Sequence, residues 1–557
     1  MKTLFAGSAT KAGSATKAES ATKAGSAGIL PGAGSAGILP AAAWSRTLRQ
    51  TGRAPHRGCP DGDPACLRSQ RLLALLLFAL CFSLTPAVRA QTPQATPPPP
   101  ATPRSVQFPK PVEKTLANGL RVIVIDRPGT PLVTAQLVIK NGAEVDPPEL
   151  AGLGNMLADL VTKGTEKRSA TQIAEEVEAL GGSLYSSARW DSTRMGVDVM
   201  SSKIGSAVEI LADVVRRPTF KEEEIERLRQ QTLDDLTVEL GEPGSIARYV
   251  AARVIFADAP YGQPLAGTPE SLTRISRDDF LKYHRRWYRP DNAILVFGGD
   301  IRARSAFALA QQYFGDWKKP VEALPTLPAP KPVVSAGPRV VVVDKPDAGQ
   351  AAVLVARTGI ERTNPDYFRG LVANSVLSGY SGRLNQEIRI KRGLSYGAGS
   401  QLDTRRNVGP FVASAQTKNQ SAIQVAELLL GEVSRLATAS VPDIELNPRK
   451  AVVVGNFARN LETAAGLVAQ VATLAVYGID FNEINRYIGN VQSINAADVQ
   501  KFAGSHLEAK TTSIVIVGNA KEFLSELRQK YPQVEVIQME QLDLNTALLR
   551  KKQQAGP

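Results

Sequence analysis

Cysteine and histidine are nearly absent from most of this 557-residue sequence. All three cysteines and one of the three histidines precede residue 91. The remaining sequence has no cysteine and two histidines, His284 and His506. That scarcity excludes disulfides, zinc held by cysteine and thiol nucleophiles from everything after residue 90. We expect the two histidines to be surface or interface side chains rather than metal ligands.

A strong charge imbalance is also missing from the larger part of the chain. The formal net charge is +13, but residues 1–90 account for +8 of it, which leaves +5 for the other 467 residues. A net charge this small over 467 residues argues against nucleic acid or another polyanion as a partner. Hydrophobic residues make up 43% and charged residues 21% of the sequence, which is ordinary for a globular protein and excludes disorder throughout.

The first ninety residues have the composition of an extension followed by an export signal. Residues 1–67 contain the low-complexity repeat GSATKAGSATKA, which has no apolar face to pack, and we interpret them as a disordered extension or as translated sequence upstream of the true start. Residues 68–90 have the pattern of a signal peptide, with Arg68 and Arg71 at the start, an apolar run from Leu72 to Leu84 and a cleavage site after Ala90. We expect a periplasmic or secreted protein with no membrane span after cleavage. The alternative is an uncleaved N-terminal helix that anchors the chain.

An internal repeat divides the rest of the chain into two halves. Ile275–Gly299 and Ile494–Gly518 match without gaps at an offset of 219 residues, each as a capped helix that leads into a β-rich strand. A second pair, Gln136–Gly152 and Val353–Arg369, matches at an offset of 217 residues. We predict a Pro-rich linker at 91–111, a first domain at 112–318, a linker at 319–338, a second domain at 339–540 and a tail at 541–557 that is frayed from residue 549.

Local patterns in each half alternate between strands and helices. Asn118-Gly119 predicts a type I′ hairpin, and Ser169 with Gln172 predicts the capped start of a helix. Alternating apolar residues predict strands at 133–139, 183–188 and 194–200, and helical spacing predicts helices at 207–215, 222–240, 421–437 and 447–461. The patterns therefore predict an α+β fold of two homologous domains, each a mixed sheet covered by helices.

Four segments together resemble the M16, or pitrilysin-like, metallopeptidase family. They are TLANGLRVIV, NGAEVDPPELAGLGNMLADLVTKGT, FLKYHRRWYRPDNAILVFGGD and SGYSGRLNQEIRIKRGLSYG, and the resemblance extends over residues 112–540. It implies a clamshell-like arrangement of homologous domains. It also implies a zinc site in the first domain and an Arg/Tyr pair in a later one.

The zinc motif that the resemblance implies is not present. In the family it is H-x-x-E-H on a helix, completed by a glutamate further along the chain. The matching positions are Asn155, Ala158 and Asp159, and the downstream position is Asp235. Asparagine is a poor zinc donor, alanine accepts no proton, and two aspartates without a general base hold a hard cation only weakly. We therefore expect no metal in this chain.

The Arg/Tyr motif that the resemblance implies is intact. Arg389 and Tyr396 stand seven residues apart in EIRIKRGLSYG, the spacing of the family's pair. By this resemblance the two side chains help to bind substrate and donate hydrogen bonds to the tetrahedral intermediate, which is oxyanion stabilisation from outside the metal site. The alternative is a structural helix–strand junction, with Arg389 in a solvated basic cluster and Tyr396 in the sheet.

Loss of one motif and retention of the other favours a non-catalytic subunit of a heterodimeric M16-like peptidase. Its partner would be a separate M16 homologue that carries H-x-x-E-H and the zinc, and its substrate would be a peptide. A catalytically inert peptide-binding or scaffold pseudo-peptidase is the alternative. A third hypothesis, a self-sufficient hydrolase that uses Asp159 and Asp235 with another metal, lacks both a base and enough ligands.

Overall fold

Residues 108–326 and 337–551 are described by a computed structural model, and they form two six-stranded mixed sheets covered by helices. The predicted α+β architecture is confirmed. The predicted extension at 1–67, the predicted signal peptide at 68–90 and parts of the predicted linkers and tail lie outside the described residues. No helix within the described ranges is both long and apolar enough to cross a membrane.

The first half has the strand order β1-β2-β6-β3-β5-β4, in which only β2 and β6 are parallel. Its strands are β1 Val112–Thr115, β2 Arg121–Asp126, β3 Leu132–Ile139, β4 Ser183–Ala188, β5 Thr193–Met200 and β6 Ala293–Gly299. Its helices are α1 Leu153–Leu160, α2 Ala170–Ala179, α3 Ile204–Arg216, α4 Glu222–Gly241, α5 Pro243–Phe256, α6 Pro269–Arg274, α7 Arg277–Trp287 and α8 Ala303–Phe314.

The second half has the order β12-β7-β11-β8-β10-β9. Its strands are β7 Val340–Asp344, β8 Ala351–Thr358, β9 Ala398–Leu402, β10 Pro410–Thr417, β11 Ser513–Gly518 and β12 Glu535–Gln538. Its helices are α9 Tyr367–Leu377, α10 Arg383–Asn385 with a π-helical turn at Gln386–Ile390, α11 Ala422–Thr438, α12 Asp443–Leu461, α13 Ala464–Tyr477, α14 Glu483–Gln492, α15 Ala496–His506 and α16 Leu524–Lys530.

The sequence repeat corresponds to a structural repeat. Helices α7 and α15 occupy the same repeat positions, and Ser276 and Asn495 each close a capping box in front of them. The following strands, β6 and β11, hold the same place in their sheets, beside β3 and β8. The sheets differ at one edge, because the antiparallel hairpin strand β1 ends the first and the parallel C-terminal strand β12 ends the second.

Each sheet is covered on one face by a helix from the other half. Helix α5 of the first half packs on β8 and β11, and α13 of the second half packs on β3 and β6. Val250 of α5 lies in one apolar cluster with Leu354 and Val515, and Val468 of α13 lies in another with Val296. Because the exchange is reciprocal, the two halves share their cores.

Gly298 on β6 marks a close approach of α13 to the first sheet. A Cβ atom at this position would lie 2.5 Å from Cγ2 of Val468. We expect Gly298→Ala to lower the free energy of unfolding by about 1–3 kcal/mol, because the packed helix has to move. A Cβ atom at Gly431, on the exposed face of α11, would meet nothing within 4 Å. Gly431→Ala should therefore raise the free energy of unfolding by up to about 1 kcal/mol. Urea denaturation of both variants checks the sign of each change, and two changes of the same sign would contradict this packing.

A polar clasp also joins the halves, formed by Asp191 after β4 and Arg406 after β9. Asp191 is 3% exposed. Its Oδ2 accepts hydrogen bonds from the Arg406 backbone N–H at 2.7 Å and from the Tyr477 hydroxyl at 3.0 Å, and its Oδ1 accepts one from the Tyr261 hydroxyl. The Arg406 guanidinium pairs with Glu144 at 2.7 Å. The clasp thus satisfies a buried carboxylate with groups from both halves.

The hairpin at Asn118-Gly119 forms, but its turn is not type I′. Of the two residues only Gly119 has a positive φ, +94°. Its N–H donates to the carbonyl of Leu116 at 2.9 Å, which gives a three-residue loop with glycine in the left-handed conformation. The Asn118 side chain instead donates to the carbonyls of Phe314 and Trp317 at the end of α8. The prediction of the turn type was wrong because Leu116 pairs with Leu120, which leaves three residues in the loop instead of the two of a type I′ turn.

The C-terminal segment is packed as far as the structure describes it. Leu549 has no exposed surface, and it joins Leu542 and Leu544 in the apolar cluster that contains α5. The carbonyl of Leu544 accepts a hydrogen bond from Nε of Arg253 at 2.8 Å. The prediction of a frayed end from residue 549 is therefore wrong for Leu549, because its buried side chain extends the shared core.

Candidate functional site

Arg389 and Tyr396 lie on the segment that connects α10 to the edge strand β9. The helical turns end where Gly393, at φ +62°, donates its N–H to the carbonyl of Arg389 at 2.9 Å. The helical turns begin at Arg383 and continue to Ile390, as the hypothesis of a helix–strand junction requires. Tyr396 lies two residues before β9 rather than in the strand.

The guanidinium of Arg389 has no acidic partner among the described residues, although basic residues surround it in sequence. Its neighbours Lys391 and Arg392 both pair with Glu387. Arg389 itself is exposed, and its Cζ lies 5.6 Å from the ring centroid of Tyr380. The Glu387 carboxylate thus pairs with the two neighbouring cations, and the N–H donors of Arg389 remain available to an external acceptor.

The phenol of Tyr396 is at the mouth of a cavity. The side chain is 87% exposed. The cavity has a volume of about 590 Å³ and lies between α5 of the first half and strands β8, β9 and β10 of the second. Its lining also includes Arg248, Tyr261, Ser378 and Arg405. Neither Tyr396 nor Arg389 contributes to the core, so both present their donors to solvent.

The positions of the zinc motif carry no metal-binding arrangement. On α1, Ala158 is fully buried and Asn155 and Asp159 are half-buried, whereas Asp235 on α4 is exposed. Asp235 faces an open surface that it shares with Asp234 and other polar residues of α4. Within the described ranges no three histidine, cysteine, aspartate or glutamate side chains are grouped so that they could hold a metal ion. The residues present do not fit the family's zinc.

Asp159 is in an environment that disfavours its charge. Burial raises the pKa of this carboxyl to about 6, although the nearby Lys163 acts in the opposite direction. A metal binds the ionised form of a carboxyl, and burial makes that form less favourable, which weakens Asp159 as a ligand. The burial of Asp159 therefore adds to the missing histidines as a reason against a metal here.

The raised pKa of Asp159 predicts a pH-dependent effect of Asp159→Asn. The pKa is higher in the folded state than in the unfolded state, so the ionised carboxyl costs stability as pH rises through about 6. We expect the free energy of unfolding of Asp159→Asn, taken relative to wild type, to be about 2–3 kcal/mol higher at pH 8 than at pH 4. Urea denaturation of both proteins at the two pH values measures this gain. A difference in stability that is the same at pH 4 and pH 8 would contradict the burial of a charged group.

The two histidines lie in different halves and each has a local partner. His284 is half-buried, with Nε2 2.8 Å from the carbonyl oxygen of Val215, and burial lowers its pKa to about 4. The ring of His284 packs against Phe220 and Tyr288, so it is only partly exposed. Nε2 of His506 lies 3.1 Å from a carboxylate oxygen of Asp366.

Sequence reasoning missed several residues around the site. The pairing of Glu387 with Lys391 follows from their i,i+4 spacing and could have been predicted. The contact of Tyr380 with Arg389 depends on the loop between α9 and α10, and no local pattern signals it. The position of Arg405 in the cavity depends on rings from the first half, which the sequence does not place.

Two family models match the chain. The model described as "Insulinase (Peptidase family M16)" matches residues 121–268, and the model described as "Peptidase M16 inactive domain" matches residues 274–452. Together the matches reach both halves and include all six candidate site positions. The chain belongs to the M16 peptidase family.

Bacterial relatives resemble this M16 chain over most of their length. An uncharacterized zinc protease of Streptomyces coelicolor is 24% identical over 417 residues, which is 73% of this chain and 89% of the relative. An uncharacterized zinc protease of Rickettsia bellii is 27% identical over 409 residues, which is 72% of this chain and 97% of the relative. The relatives therefore share both halves.

Solved structures share the M16 fold. A protein described as the peptidase M16 inactive domain from Pseudomonas fluorescens has a TM-score of 0.68 at 23% identity, with 73% of this chain and 98% of that chain covered. A protease from Helicobacter pylori has a TM-score of 0.70 at 22% identity, with coverage of 74% and 100%. The fold that the sequence resemblance implies is confirmed.

Proposed function

We propose that this M16 chain is the non-catalytic subunit of a two-chain zinc peptidase. The observation that carries the proposal is an asymmetry between its two candidate sites. The positions of the zinc motif hold Asn155, Ala158 and Asp159, which cannot bind zinc, whereas Arg389 and Tyr396 present unused donors to solvent. Hydrolysis therefore needs a second M16 chain that carries H-x-x-E-H and the metal.

In this proposal Arg389 and Tyr396 act on a carbonyl group of the peptide substrate. A guanidinium N–H and a phenol O–H both donate hydrogen bonds, and the carbonyl oxygen becomes negative when the tetrahedral intermediate forms. Donors that bind the negative oxygen more strongly than the neutral one lower the barrier. The absence of a carboxylate partner for Arg389 among the described residues supports this role, because no internal ion pair has to break first.

The location of Tyr396 supports a role in binding the peptide. Its phenol stands at the mouth of the 590 Å³ cavity, whose size is within the range of ligand sites in proteins. The arginine and the tyrosine are on one short segment before the edge strand β9. We further propose, from the signal peptide at 68–90, that the complex works in the periplasm or outside the cell.

Reconstitution from separate chains tests the proposed function. The purified full chain should contain no stoichiometric zinc and should cleave no peptide. An M16 homologue with H-x-x-E-H, recovered with this chain by pull-down from the periplasmic fraction, should bind it and yield peptide cleavage in the mixture. Chelator-sensitive cleavage by this chain alone would refute the proposal. Recovery with only non-peptidase proteins would favour the alternative of an inert scaffold or peptide-binding pseudo-peptidase.

A further inference from the structure

The repeat allows the two sheets to be compared residue by residue on the faces that the exchanged helices cover. Val296 of β6 and Val515 of β11 are equivalent at the offset of 219 residues. The strand registers extend this equivalence across each sheet as a row of four paired residues, and paired residues point to the same face. The row in the first half is Val296, Gln136, Gly196 and Tyr185, and the row in the second half is Val515, Leu354, Ser414 and Gly399.

In the first half an aromatic side chain covers the end of this row. Tyr185 is on the edge strand β4, and its hydroxyl oxygen accepts a hydrogen bond at 2.7 Å from Nε2 of Gln136, two strands away. Between them is Gly196, where a Cβ atom would lie 2.4 Å from the tyrosine hydroxyl oxygen. The Tyr185 side chain therefore crosses β5 and fills the space above this glycine.

In the second half a glycine replaces the tyrosine, and the cavity beside Tyr396 lies at this place. Gly399 is equivalent to Tyr185, and it lines the cavity together with its neighbours in the row, Ser414 and Leu354. The volume of about 590 Å³ is large enough for an aromatic side chain and part of the backbone that carries it. The second sheet thus has an open space where the first sheet holds a ring of its own.

The accessible walls of the cavity fit a ring from a peptide. Trp190 after β4, Ala252 of α5 and Val412 of β10 are half-buried, so each exposes apolar surface to the cavity. An aromatic ring gains from contact with such surfaces, which leave water when it binds. Two exposed lining residues, Gln401 and Gln416, carry side-chain amides that can hydrogen-bond to the backbone of the peptide.

We propose that this cavity binds an aromatic side chain of the peptide substrate, in the place that Tyr185 fills in the first half. The inference rests on the proposed function, since Tyr396 at the mouth is assigned to the same peptide. It adds a preference for peptides that contain an aromatic residue. The pair of Arg389 and Tyr396 does not give this preference, because its donors act on a carbonyl group that every peptide has.

Fluorescence anisotropy with the full chain and no partner chain tests the pocket. The probes are three fluorescein-labelled, amidated pentapeptides of alanine and serine that differ only in the central residue, which is phenylalanine, glutamine or alanine. We expect the phenylalanine peptide to bind about tenfold or more tightly than either of the others, because its ring leaves water in the cavity. The glutamine peptide separates the effect of an apolar ring from that of a long side chain.

Variants that fill the cavity assign the preference to it. The double variant Gly399→Tyr with Ser414→Gly copies the first half and puts a ring of the chain itself into the cavity, so it should bind all three peptides with equal affinity. Ala252→Phe fills the cavity from α5 and should have the same effect, so it serves if the double variant does not fold. Val452→Phe, on the exposed face of α12 and outside the cavity, should leave the preference unchanged.

The inference would be overturned by wild-type affinity for the phenylalanine peptide that is no higher than for the glutamine or the alanine peptide, or by no detectable binding of any peptide. A phenylalanine preference that survives in a filled variant with wild-type circular dichroism would also overturn it. Failure here and failure of the proposed function are distinguishable. The preference is measured on this chain alone, whereas the proposed function is measured as peptide cleavage in the two-chain mixture.

Discussion

Removal of the Arg389 guanidinium is expected to lower kcat/KM of the reconstituted two-chain enzyme by about 100- to 1000-fold, the loss seen when one oxyanion donor is removed. Arg389→Ala takes away a cation that no carboxylate of the described chain neutralises. Tyr396→Phe removes only the phenol O–H and is expected to act in the same direction. Because the donors act on the negative oxygen of the intermediate, most of the loss should be in kcat rather than KM.

Matched variants separate this effect from a loss of folding or of local charge. Arg392→Ala removes a neighbouring cation that is tied to Glu387, and we expect it to change kcat/KM by less than about fivefold. Both functional side chains are exposed, so Arg389→Ala and Tyr396→Phe should leave the melting temperature of the isolated chain unchanged. Equal kcat/KM for wild type, Arg389→Ala and Tyr396→Phe would contradict the role that we assign to these two side chains.

Asp191→Ala is expected to produce the largest loss of stability, about 3–5 kcal/mol. Asp191 is buried and accepts hydrogen bonds from Tyr261, Tyr477 and the backbone of Arg406. Its removal leaves two hydroxyls and a backbone N–H without their acceptor inside the shared core, and it takes a negative charge from beside the Arg406 guanidinium. Since the clasp joins both halves, the loss should affect the whole folded unit.

An exposed ion pair provides the control for Asp191. Glu113 pairs with Arg121 at 2.8 Å, and both side chains are more than a third exposed, so Glu113→Ala should cost less than about 1 kcal/mol. Thermal and urea unfolding of both variants give the comparison. A loss for Asp191→Ala as small as that for Glu113→Ala would show that the clasp does not stabilise the contact between the halves.

Much of the fold could be predicted from the repeat and from local patterns. The caps at Ser276 and Asn495 and the strands that follow were visible as one pattern in two places. The exchange of α5 and α13 was not visible, because an apolar helix pattern shows that a helix is buried but not which sheet it covers. The contact of the Asn118 side chain with the carbonyls of Phe314 and Trp317, almost 200 residues away, was not visible either.

The resemblance to the family's motif proposed Arg389 and Tyr396 as site residues, and the missing imidazoles argued against zinc. Neither argument describes the surroundings of these residues. The sequence could not show that Glu387 binds both neighbouring cations, nor that burial raises the pKa of Asp159. It also could not bring Arg405 between Trp190 and Tyr261, because that contact joins segments from different halves.

The crossing of α5 and α13 to opposite sheets has the form of a swapped homodimer joined into a single polypeptide. Removal of either half would expose the apolar face of the sheet in the other half, so the two halves depend on each other for a covered core. Helix α1, which carries the eroded zinc positions, does not cross and packs within its own half. Changes at these positions of α1 therefore leave the crossing helices, and with them the shared core, in place.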